Sequence, residues 1–194
     1  MGILKYWFGI NEITVTGVEV KKKFVFDPVD EGDVIELLED ARIIVKIKRS
    51  AKSIGKKNAR ATLDITFKKG FLTDGASVPE KLRREMPTYI AMDDEGAHIY
   101  NAAAFIHDGL YAYEGEVKEP NIESTRKNKD WHTLTRRECD DILKGVWDKS
   151  GFSNTVKTSI GRKGVRMVAG GPDHWGNDKE LHCKPYFSAS IIYD

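Results

Sequence analysis

From Ile13 onward, apolar and polar positions alternate: Ile13 and Val15, then Val18 and Val20, later Ile43, Val45 and Ile47, and again Leu63, Ile65 and Phe67. A period of two predicts strands with one face buried and the other in water. Residues 50–58, rich in Ser, Lys and Gly, predict the exposed tip of a hairpin joining Ile43–Lys48 to Thr62–Lys68. After Gly70 the pattern changes. Ser77-Val78-Pro79-Glu80 has the form of a capping box with a proline in the first turn, and it opens a short helix through Met86. Asp93 to Ala112 predicts a long helix at the centre of the core, with acids at its start, alanines within it, and Ile99, Ala103, Ile106 and Leu110 at helical spacing. Glu114 to Asp130 is polar and reads as a long surface excursion. Thr135 to Lys149 predicts a second helix with Cys139, Ile142, Leu143 and Val146 on one face, whereas Gly161 to Asp194 shows no clear period. The expected class is α+β: antiparallel N-terminal strands with a basic hairpin (1–70), a small helical core (71–160), and a tail (161–194) packed on the same domain.

Composition narrows this picture only slightly. A chain of 194 residues, 40% apolar and 31% charged, suits one folded domain, or one domain with an appended module. No run of about 18 apolar residues occurs. Met1 to Asn11 carries one Lys and no small-residue cleavage pattern, so neither a transmembrane helix nor a signal peptide is expected. Cys139 and Cys183 are too few for a disulfide framework and read as ordinary thiols.

The net charge of +1 excludes a general nucleic-acid binder, but it is a cancellation. Asp27 to Asp40 holds seven acids and no base, while Ala41 to Gly70 holds ten Lys and Arg against Asp64. The two stretches are expected to be neighbours in space. Within the second, Lys52, Lys56, Lys57 and Arg60 mark the hairpin as a surface for phosphate or an anionic membrane, set against the plainer reading of a solvated loop.

Candidate chemistry gathers in Asn101-Ala-Ala-Ala-Phe-Ile-His107-Asp108-Gly-Leu-Tyr111. His107 and Tyr111 share a helix face at i and i+4, while Asp108 is displaced by about 100° toward a neighbouring loop. A histidine steadied by a carboxylate makes a general base, and Asp140 or Asp141 on the next helix could supply that carboxylate. Asp74-Gly75-Ala76 pairs a carboxylate with backbone carbonyls, as calcium prefers. The plainer reading is that the His-Asp pair only fixes packing. His98 is expected on the helix surface and His132 in a loop; His174, His182 and Cys183 lack any standard zinc spacing.

Two resemblances rest on these residues. The string Gly70-Phe-Leu-Thr-Asp-Gly-Ala-Ser-Val-Pro79, then Ala103-Ala-Phe-Ile-His-Asp-Gly-Leu-Tyr111, then Arg137-x-x-Asp140, resembles the tailed-phage and prophage family named domain of unknown function 1353, over about Thr62 to Gly151. That resemblance implies a small α+β phage or prophage protein in the host cytoplasm or the virion, working with other phage proteins or a host factor, and no established activity. The pattern Ala-Ala-x-x-His-Asp-x-x-Tyr with a later Asp is similar to the active-site helices of secreted and parvoviral phospholipases A2. By that likeness His107 is the base, Asp108 a calcium ligand assisted by Asp74 and Gly75, Asp140 the group that orients the histidine, and Tyr111 a supporting donor. The usual glycine-rich calcium loop and the cysteines are missing. Two functions therefore stand open: a non-enzymatic virion or host-interaction protein whose motif helices form a structural core, and a calcium-assisted hydrolase of lipid esters. An HD-type phosphohydrolase lacks the further metal-binding histidines.

Overall fold

The computed structural model describes residues 13–29, 34–49, 59–73, 87, 89–118, 133–152 and 186–193. The chain order is β1 (Ile13–Lys22), β2 (Phe26–Pro28), β3 (Ile35–Leu37), β4 (Ala41–Arg49), β5 (Ala59–Phe67), β6 (Leu72–Thr73), α1 (Glu95–Ala112), α2 (Arg136–Lys149) and β7 (Phe187–Tyr193). One antiparallel sheet runs β1-β4-β5-β7, and a smaller one runs β2-β3-β6. The class is α+β.

The expected hairpin forms in full register, from Ala41 opposite Phe67 to Arg49 opposite Ala59. Its alternation follows from the pleat: Ile43, Val45, Ile47, Leu63, Ile65 and Phe67 are buried on the inner face. The acidic and basic stretches meet where Lys68 reaches Asp40 at 3.0 Å. β7 adds to the β5 edge, with Phe187, Ala189 and Ile191 turned inward, so the tail contributes a strand that its composition had hidden.

α1 begins where Asp94 accepts the Ala97 amide at 2.8 Å, and every residue from Ala97 to Ala112 is buried. A helix enclosed on all sides has no water-facing stripe. His98, expected at the surface, is therefore buried, and its Nε2 lies 2.8 Å from Asp93. Phe105 joins Phe24, Phe67 and Phe71 in an aromatic cluster, with centroids 5.2 to 5.9 Å apart, that ties helix to sheet.

The end of α1 depends on Gly115. Its φ of +74° suits glycine, its amide reaches Leu110 O at 2.7 Å, and its carbonyl accepts the Leu134 amide at 2.9 Å. A Cβ there would run into the Leu134 carbonyl. Gly115→Ala is expected to cost about 2 kcal/mol, read as a lower denaturation midpoint. α2 then opens on a capping box, with the Thr135 hydroxyl taking the Glu138 amide at 3.3 Å and Glu138 taking the Thr135 amide at 2.9 Å.

Candidate functional site

The i, i+4 spacing on α1 stacks the His107 and Tyr111 rings with centroids 4.0 Å apart. α2, packed against α1, places Asp140 on the far side of the imidazole. His107 Nε2 faces Asp140 Oδ1 at 3.4 Å, and the same oxygen accepts the Tyr111 hydroxyl at 2.5 Å. On the other side, His107 Nδ1 faces Asp108 Oδ1 at 3.3 Å. Asp108 Oδ2 accepts the Thr73 hydroxyl from the end of β6. Arg136 completes the row, donating from Nε to the Tyr111 hydroxyl at 3.2 Å with its guanidinium 5.7 Å above that ring.

The structure thus brings together His107, Asp108, Tyr111 and Asp140. Of the two candidate carboxylates on α2, Asp140 faces the histidine and Asp141 turns away to accept the Ile13 amide at 3.2 Å. Thr73 and Arg136 were missed. Thr73 lies inside the quoted motif string, but nothing local marks it as a donor to a residue 35 positions later. Arg136, in the first turn of the predicted second helix, was the more legible of the two.

His107, Asp108, Tyr111 and Asp140 are all buried, with Asp140 only 2% exposed. Burial by itself would lower the His107 pKa. The carboxylates of Asp108 and Asp140 outweigh it and raise that pKa to about 9, so the ring is an imidazolium at neutral pH. Burial, then the Asp140 carboxylate, push the Tyr111 hydroxyl well up, which keeps it a donor. Cys139, beside Asp140 in sequence, is held as an inert thiol by burial.

The raised pKa sets a sign for stability. The folded value of about 9 exceeds the ordinary 6.5, so the stabilisation is complete below pH 6.5 and is lost as pH rises through 9. Unfolding free energy is expected to fall by about 3 kcal/mol across that window relative to His107→Gln, which lacks the titration. An equal change of unfolding free energy with pH in the two proteins would contradict it.

Calcium takes six to eight oxygens. Among the described residues no group of three acidic, His or Cys side chains is placed to hold a metal, and both Asp108 oxygens already face protein partners. Asp108 on its own does not make such a shell, and Asp74 and Gly75, expected to complete it, lie outside the described residues. So do Lys52, Lys56, Lys57, His132, His174, His182 and Cys183, and the capped turn from Ser77. Arg60 is described, exposed on β5. It projects from the sheet face opposite α2, because the inward Arg49 on the paired strand reaches Glu138 of that helix. Arg60 and the His107 site therefore lie on opposite sides of the main sheet.

Residues 52–160, more than half of the chain, match the family described as Protein of unknown function (DUF1353). Neither a curated protein nor a solved structure matches the chain. No helix among the described residues is long and apolar enough to cross a membrane.

Proposed function

The chain belongs to the DUF1353 family, and on the geometry of its site we propose that His107 is the general base of a hydrolytic centre. The observation that carries this reading is the shared Asp140 oxygen, which faces His107 Nε2 and holds the Tyr111 hydroxyl. An orienting carboxylate fixes the ring and stabilises the imidazolium formed when the base takes a proton. Nε2 is thereby committed, which leaves Nδ1 as the working nitrogen. Asp108 faces it at 3.3 Å, a long contact of the kind that rearranges when substrate and water enter. With Asp108 displaced, Nδ1 takes a proton from water as the water oxygen bonds to the acyl carbon. The tetrahedral intermediate then collapses with cleavage of the ester C–O bond, and the imidazolium returns the proton to the departing alkoxide, releasing an acid and an alcohol. The likeness to phospholipase A2 suggests esters of lipids as the substrate.

The test is turnover on an ester panel that includes phospholipid vesicles. Activity is expected to rise with pH toward a plateau above about 9, because the base must lose its proton. Asp108→Asn removes one carboxylate that raises this pKa, so the rising limb should move to lower pH. His107→Gln should abolish turnover. No turnover on any ester at any pH would end this reading.

A second reading is favoured by a different observation: carboxylates face both ring nitrogens, and Thr73 takes the other oxygen of Asp108, which makes a closed polar brace. On that reading the chain is a non-enzymatic phage or prophage component, serving the virion or binding a host factor. The phage origin rests on the motif resemblance. Under it, a folded His107→Gln, Asp108→Asn variant keeps its place in purified particles or on its host partner.

A further inference from the structure

The outer face of the main sheet carries an unbalanced charge at its hairpin end. Lys48 and Arg60 are direct cross-strand partners, and Lys46, one pleat away on the same face, lies opposite Thr62. Like charges set directly opposite one another destabilise an antiparallel pair. Nearer the other end three cations are matched: Arg42 holds Asp64 at 2.6 Å, Lys21 holds Glu19 and Lys68 holds Asp40. Among the described residues, Lys46, Lys48 and Arg60 form no ion pair. The stem of Lys46 lies over Gly17 of β1, so no side chain there screens it. In the same cross-strand row as Lys46 and Thr62 stands Ile192 of β7, 45% exposed.

The geometry points to this face as a docking surface for an anionic lipid bilayer. Three unpaired cations on adjacent strands meet headgroup phosphates or carboxylates, and Ile192 beside them offers an apolar contact at the acyl boundary. Single-stranded nucleic acid fits less well: the described residues of this face include no aromatic ring on which bases stack. The surface is independent of the His107 reading, since the site lies across the sheet. Docking here anchors the chain by the sheet face opposite α2.

The experiment is flotation of the full chain with phosphatidylcholine vesicles, with and without phosphatidylserine. Binding is expected only with phosphatidylserine and should weaken as salt is added. Each cation contributes about fivefold to partitioning, so K46E/K48E/R60E should lower it about a hundredfold or more, while K46R/K48R/R60K retains it. An unchanged thermal midpoint in the charge-reversed chain shows that the fold is kept. Undiminished vesicle binding by K46E/K48E/R60E, equal binding to neutral vesicles, or binding to duplex DNA but not to vesicles would each overturn the inference.

Discussion

Replacing Asp140 by Ala is expected to destabilise the protein by about 4 kcal/mol, because it leaves a buried imidazolium with one carboxylate in place of two. His107 loses the partner of Nε2, and Tyr111 loses the acceptor at 2.5 Å. Asp140→Asn separates the two roles of this residue. Its amide oxygen still accepts the Tyr111 hydroxyl, so the packing and part of the stability survive. A neutral amide, however, does not balance the imidazolium, so the His107 pKa falls toward its ordinary value and the dependence of stability on pH between 6.5 and 9 flattens. If His107 is a base, Asp140→Asn also loses about 10²-fold or more in ester turnover while remaining folded. Urea titrations at two pH values and one rate assay read all three effects. An Asp140→Ala protein as stable as the parent would remove Asp140 from the network.

The reach of the sequence differed between elements for physical reasons. α1, α2 and the β4-β5 hairpin were legible because each carries its period over nine residues or more, and the helices carry their own N-caps in Asp94 and Thr135. β2, β3 and β6 span two or three residues, too few to show a period. β7 does alternate, with Phe187, Ala189 and Ile191 inward, but small serines lie between them and its partner β5 is more than a hundred residues away in sequence. His98 was misplaced because helical spacing identifies one buried face, and α1 is buried on all of them. In the site, the i, i+4 rule gave His107 and Tyr111. The choice between Asp140 and Asp141 waited on how α2 is rotated about its axis. That rotation is set by the buried stripe of Cys139, Ile142, Leu143 and Val146. Thr73 needed the sheet to be built before its hydroxyl could meet Asp108.

The same rotation gives the start of α2 three buried carboxylates with three destinations. Glu138 goes to Arg49 of β4, Asp140 to α1, and Asp141 to the first amide of β1. The first of these supports the second large prediction. Arg49 and Glu138 are 5% and 0% exposed and meet at 2.5 Å. Arg49→Met is expected to cost about 3–5 kcal/mol, since it strands a charged carboxylate in the interior. Glu138 cannot escape by turning outward, because its other oxygen closes the capping box on Thr135. Adding Glu138→Gln removes the stranded charge and keeps an acceptor for the Thr135 amide. The double variant should therefore recover at least about 1 kcal/mol of the loss, a coupling visible in a double-mutant cycle of denaturation free energies. If the ion pair were instead a net source of stability, the double variant would stay well below the parent even after that recovery. The stability of the double variant against the parent thus separates a pair that stabilises the fold from one that fixes how α2 docks on the sheet and, through Asp140, where the His107 site is built.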